Sequence, residues 1–242
     1  GIECQATGSG KSILILLYIA HCYKLNPKCK IILFTERVNI LADLFDFEKT
    51  TNPVDSANIK FWKEKGICDL TGFDIIDRVP VKKSDWVEIL NKALGPTLLV
   101  INRAYLTFTD GYKAIQGLDL VLHDECHNVA SNKCFEFLTH IKSKQNVSNE
   151  SDLKSTKSTK STKSTKSTKS TKSTKSETPI PIVGFSATPL RAGRTKSGDN
   201  MVLNKDRLVE IYGKTDGSGQ LNLLTNYNMI YAISENLILP PE

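Results

Sequence analysis

Three short stretches of this 242-residue chain carry residue types whose order could do chemistry. The first is Gln5-Ala6-Thr7-Gly8-Ser9-Gly10-Lys11-Ser12. Its Gly-Lys-Ser end fits the phosphate-loop pattern, although Gln5 stands where the general pattern has its first glycine. Glycines at 8 and 10 let backbone N–H groups curl around a phosphate without Cβ clashes. A helix starting near Lys11 adds its positive end. In such a loop Lys11 reaches the β- and γ-phosphates and the Ser12 hydroxyl binds Mg2+, while Thr7, Gly8, Ser9 and Gly10 line the cradle. A Gly-Ser turn with no ligand is the plain alternative.

The second stretch, Leu120-Val121-Leu122-His123-Asp124-Glu125-Cys126-His127, reads as a buried strand ending in two carboxylates. In an α/β sheet that places both acids at the carboxyl edge, where ligands bind. Asp124 suits a Mg2+ ion held through its hydration shell, and Glu125 suits the positioning and deprotonation of an attacking water. A strand that simply ends in solvated acids is the competing account. The third stretch, Ile182-Val183-Gly184-Phe185-Ser186-Ala187-Thr188-Pro189, puts small hydroxyl residues at another strand exit, where they can hydrogen-bond His127 and link nucleotide state to domain movement. A Ser-Ala-Thr triplet alone proves nothing. The joint occurrence carries the inference, because all three stretches follow expected strands and converge on one sheet edge.

Together these stretches resemble motifs I, II and III of the superfamily-2 helicases: a TGSGKS loop, a DECH box of the DExH type, and SAT. The resemblance runs from about Ile2 to a hinge near Pro241. It implies an α/β, RecA-like P-loop NTPase domain with a mostly parallel central sheet and helices on both faces. It also implies ATP and Mg2+ as cofactors, DNA or RNA as partner, and a second RecA-like domain that supplies arginine fingers across the cleft. Catalysis then falls to Glu125, Lys11, Asp124 and His127, with Ser186, Ala187 and Thr188 as the coupling motif. Two weaker correspondences concern loops that in such helicases contact a strand's backbone: Thr35-Glu36-Arg37 at motif Ia, and Asn102-Arg103 at motif Ib. Phe34 replaces the proline common before the former, but hydroxyl and guanidinium groups fit phosphate contact. The Thr-Glu-Arg segment, the DECH box and the Phe-Ser-Ala-Thr-Pro-Leu-Arg exit resemble helicases of large DNA viruses and motor subunits of restriction enzymes. The alternative reading is a catalytically incompetent nucleotide-binding remnant or interaction module.

Such residues work only if the elements between them form βαβ units, and the periodicity supports that. Strands are expected at Ile2 to Gln5, Lys30 to Phe34, Phe73 to Ile76, Thr97 to Ile101, Leu118 to His123 and Pro181 to Phe185. Helices are expected at Lys11 to Leu25, Arg37 to Phe47, Asp55 to Lys65, Ser84 to Leu94 and Lys133 to Lys142, with a short helical stretch near Tyr112 to Gln116. Ser84 caps its helix and Gly95-Pro96 ends it. The stretch 144–178 contains a Lys-Ser-Thr repeat from Lys154 and has no apolar residue between Leu153 and Pro179, so it is expected to be a disordered insertion. Removing it leaves a His127-to-Ser186 spacing suited to one helix and one strand. A last helix is expected over Tyr227 to Leu237, before Pro240-Pro241. The domain is thus expected over 1–236, truncated at its N-terminus, with 237–242 the start of a linker and the second RecA-like domain absent; the isolated chain should bind ATP weakly and turn over little.

Composition agrees with one ordinary globular domain: 40% of residues are apolar and 24% charged. The formal net charge of +6 is not a binding face, because eight lysines from Lys154 to Lys175 belong to the repeat and the remainder is slightly acidic. Six scattered cysteines show no C-x-x-C spacing, which favours free buried thiols over zinc. The apolar run at Ile13 to Ala20 is too short to span a bilayer, and no leader pattern opens the chain. The expected location is cytoplasmic, nuclear or a viral factory, without secretion or a membrane partner.

Overall fold

Each central strand sends alternate side chains to opposite faces, and both faces are covered. On β2 (Lys30–Thr35), Ile31 and Leu33 enter one apolar cluster while Ile32 and Phe34 enter another. Strand β4 (Thr97–Asn102) splits the same way, Leu98 and Val100 against Leu99 and Ile101. Burial on both sides explains why these segments read as continuous apolar runs instead of alternating ones.

The computed structural model describes residues 1–6, 8, 10–35, 57–76, 86–102, 111–154, 180–190, 192–194, 200–202, 205–227 and 229–235. The remaining strands are β1 (Ile2–Gln5), β3 (Asp74–Ile76), β5 (Leu120–Asp124), β6 (Ile182–Ser186) and β9 (Leu223–Tyr227), with a separate pair β7 (Ala192–Arg194) and β8 (Asn200–Val202). Seven of them form one sheet in the order β3-β4-β2-β5-β6-β1-β9. Every neighbouring pair in it is parallel. This is the α/β arrangement expected, with a central sheet that is parallel throughout instead of mostly so.

The helices are α1 (Lys11–Leu25), α2 (Ala57–Glu64), α3 (Trp86–Lys92), α4 (Asn132–Lys154), α5 (Lys205–Tyr212) and α6 (Met229–Ser234), and 3-10 turns occupy Gly111–Ala114 and Cys126–Ala130. Ile15, Leu16 and Ile19 of α1 and Ile59 of α2 pack on one face. Trp86, Val87 and Leu90 of α3, Phe137, Leu138 and Ile141 of α4, and Leu208 and Ile211 of α5 pack on the other. Each such fully buried side chain contributes roughly 1.5–3 kcal/mol of transfer free energy.

Three expectations change. The helix expected over Tyr227 to Leu237 gives way at its start to β9, which ends at Tyr227, and the helix itself covers Met229–Ser234. Pairing with β1 overrides local preference there. The helix expected over Lys133 to Lys142 runs on to Lys154, so the first part of the expected loop is helical backbone; Lys, Gln and Glu in that stretch are good helix formers. The β7–β8 antiparallel pair and α5 were not foreseen. The helix expected at Arg37 to Phe47, the cap Ser84, the repeat beyond Lys154 and the linker at 237–242 lie outside the described residues. Among the described residues no helix is long and apolar enough to cross a membrane.

Candidate nucleotide site

Parallel pairing of β2, β5, β6 and β1 gathers the exits of four strands at one sheet edge, and the three motif stretches leave from three of them. At the exit of β1 the chain turns through Gly8 at φ 82° and Gly10 at φ 95°, the left-handed region that side chains disfavour. Gly10 directly precedes α1, and no side chain caps that helix. Its carbonyl accepts the N–H groups of Ile13 and Leu14, at 3.0 and 3.2 Å. A left-handed glycine before an uncapped helix N-terminus leaves backbone donors directed at an anion, so these residues fit a phosphate. Ser12 is half-buried on the first turn of α1.

Strand β5 is buried along its whole length and delivers Asp124 at its end. Glu125 then adopts φ 52° and ψ 50°, and among the described residues it alone holds a positive φ without being glycine. That conformation costs about 1 kcal/mol or more and persists where surrounding structure over-determines it. Here it swings the Glu125 carboxylate off the strand direction toward the phosphate loop. Lys11 Nζ lies 3.2 Å from Glu125 Oε1, and His127 Nδ1 lies 3.3 Å from Oε2. The acid is thus held between a cation from α1 and an imidazole from the 3-10 turn.

The same ring nitrogen of His127 sits 3.0 Å from Ser186 Oγ at the end of β6. Ser186 is fully buried, and its hydroxyl oxygen also accepts the backbone N–H of Thr188 at 3.2 Å. The Ala187 carbonyl lies 4.0 Å from the Cys4 thiol, and Thr188 is exposed. The contacts Glu125–His127–Ser186–Thr188 therefore run from the acid to the exit of β6. Close approach makes this possible: a Cβ on Gly184 would sit 2.8 Å from that of Cys126. Only glycine lets β6 lie so near the turn carrying His127.

Burial pushes the Asp124 carboxyl up to about 6, with the neighbouring Glu125 charge adding to the rise and Lys11 opposing it. The sign of the consequence follows from linkage. Between the ordinary 3.8 and about 6 the folded chain holds a proton that the unfolded chain releases, so metal-free stability falls as pH rises through that window. Asp124→Asn removes the charge and keeps an acceptor. The metal-free variant should melt at a higher temperature than the parent at pH 8, and the difference should shrink toward pH 5. Thermal unfolding at both pH values checks this, and a variant that melts lower at pH 8 would mean Asp124 is a structural acceptor with no latent charge cost.

Of the residues expected at nucleic-acid contact, Thr35 and Asn102 are described. Thr35 is 1% exposed, and its hydroxyl hydrogen-bonds Asp124. Its side chain is turned onto the acid and is not presented at the surface. Asn102 pairs with Thr35 in register at the exit of β4 and is half-buried. Thr7, Ser9, Arg37 and Arg103 lie outside the described residues. Sequence reading also missed His123, whose Nδ1 lies 2.7 Å from the Tyr212 hydroxyl and whose ring stands edge-on to Phe34. That buried contact ties the strand delivering Asp124 to α5. A histidine inside an otherwise apolar strand was the available signal.

The sequence model of the family described as type III restriction enzyme, res subunit, matches residues 4–191 of this chain. A nuclease-deletion mutant of the Type ISP restriction-modification enzyme LlaGI, solved in complex with a DNA substrate mimic, is similar at 10% identity and a TM-score of 0.46. The match covers 98% of this chain and 18% of that one, so this chain spans under a fifth of that enzyme's length. No curated protein matches the chain.

Proposed function

The chain belongs to the family of the type III restriction enzyme res subunit, and on that premise we propose that it binds and hydrolyses Mg-ATP as the first RecA-like half of a DNA motor. The observation that carries the proposal is the 3.2 Å contact between Lys11 Nζ and Glu125 Oε1, which sets a phosphate-type loop against an acid pair at one sheet edge.

The residues divide the work. Backbone N–H groups at Gly8 to Ser12 hold phosphate oxygens, and Lys11 leaves Glu125 to reach the β- and γ-phosphates. That departure frees the Glu125 carboxylate to orient a water in line with the γ-phosphorus and accept its proton. Asp124 and the Ser12 hydroxyl hold Mg2+, which when bound neutralises charge on the β- and γ-oxygens. His127, tied to both Glu125 and Ser186, relays a shift of the acid to the exit of β6. In the ligand-free chain, Lys11 and Glu125 occupy each other, so nucleotide binding and base activation are one exchange.

The family description favours DNA over RNA as the strand moved. The testing experiment follows ATP binding and turnover by the purified chain with duplex DNA, single-stranded DNA and single-stranded RNA. The expected result is Mg-dependent ATP binding and turnover that rises with DNA. Stimulation by RNA alone would reassign the substrate. Failure to bind ATP at all would leave an interaction module as the better account.

A further inference from the structure

Two exposed tyrosines stand beside the phosphate loop without a part in the chemistry above. Tyr227 closes β9, and Tyr231 lies one turn into α6. They are 39% and 42% exposed, and their ring centroids are 5.1 Å apart at 59°.

Their position is set by the sheet. Strand β9 runs parallel to β1 with Gln5 opposite Tyr227, so Tyr227 reaches the same edge as the phosphate loop. The Ala6 N–H donates to the Tyr227 carbonyl at 2.8 Å, two residues before Gly8. Two residues before Tyr227 on β9, Thr225 donates its hydroxyl to the buried Glu3 carboxylate of β1, which also accepts the Tyr18 hydroxyl of α1. These bonds tie β1, β9 and α1 together, so β9 is held against the strand that leads into the loop.

Direction decides what the platform faces. The γ-end of a triphosphate in this loop must lie toward Glu125 and Asp124 on β5, and β6 separates β5 from β1. The nucleoside end then leaves the loop on the opposite flank of β1. The element on that flank is β9, one strand spacing of about 4.8 Å away.

We infer that Tyr227, backed by Tyr231, is the stacking surface for the nucleobase of the bound nucleoside triphosphate. This rests on the nucleotide site proposed above and adds its base-binding side. A ring face reads the π surface of a base and not its edge. The platform therefore distinguishes a nucleotide from a bare polyphosphate but accepts ATP and GTP with similar affinity.

The test compares equilibrium binding of ATP, GTP and inorganic tripolyphosphate, each with Mg2+, to the chain and to Tyr227→Ala, Tyr227→Phe and Lys11→Ala variants. Tyr227→Ala should weaken ATP and GTP by roughly tenfold, in line with the loss of one base–aromatic stack, and leave tripolyphosphate unchanged. Tyr227→Phe should bind all three like the parent. Equal losses for ATP and tripolyphosphate would show that Tyr227 shapes the loop instead of stacking, and an unchanged ATP affinity in Tyr227→Ala would also overturn the inference. Strong preference for ATP over GTP would refute the base tolerance. Tripolyphosphate binding that survives Lys11→Ala would instead remove the phosphate site on which the inference stands.

Discussion

Glu125→Gln is expected to lower Mg-ATP turnover by about 10²–10⁴-fold, the range for removing a positioned general base, while ATP affinity holds or rises. The amide matches the carboxylate in shape, so the left-handed turn at Glu125 and the approach of His127 can persist. What disappears is the group able to take a proton from water. The ion pair with Lys11 disappears as well. In the parent, the incoming phosphates must compete with Glu125 for that ammonium; in the variant they need not. Turnover and nucleotide binding should therefore separate, with kcat falling and the dissociation constant staying level or improving. Single-turnover rates and equilibrium binding measured on one preparation decide the matter. Undiminished turnover would show that Glu125 is not the base. Parallel loss of binding would point to Glu125 as the residue that shapes the turn.

The motif stretches were legible because their chemistry is written in consecutive residues. Asp-Glu-x-His follows an apolar run, and a run buried on both faces is a strand of a parallel sheet, whereas Gly-Lys-Ser was legible from its own residues after the short stretch Ile2 to Gln5. The sheet order was not legible in the same way. Nothing in Leu223 to Tyr227 says that it pairs with β1, whose partner lies more than two hundred residues away. Its mostly exposed burial pattern also hides the usual apolar signal of a strand. Thr35 shows a similar limit. Its neighbours suggested a surface loop, whereas its partner Asp124 is brought beside it only when β2 and β5 align. Helix α4 was expected to end at Lys142 because the regular apolar spacing gives way there to a mostly polar stretch, yet its backbone runs on to Lys154. Local chemistry could be read from the chain, and long-range pairing had to be seen.

Lys11→Ala tests the other half of the exchange and should do more than weaken binding. Charge-assisted hydrogen bonds to a phosphate contribute roughly 1.5–3 kcal/mol, so ATP and tripolyphosphate affinity should each drop by about 10- to 150-fold. The second effect is on the ligand-free protein. Lys11 is the cation that opposes the upward shift of Asp124, and it pairs with Glu125 at 3.2 Å. Without it the neighbouring Asp124 and Glu125 charges repel each other with that opposing cation gone. Asp124 should then hold its proton to still higher pH, and the variant should lose thermal stability relative to the parent at pH 8 and regain it on acidification. Combining Lys11→Ala with Glu125→Gln relieves the repulsion, so the double variant should recover stability at pH 8 while remaining inactive. A simple packing role for the lysine predicts no such recovery, because Glu125→Gln restores none of the lost methylene contacts. Thermal midpoints of the three variants across pH 5 to 8 distinguish the two accounts, and a double variant no more stable than Lys11→Ala alone would refute the electrostatic one.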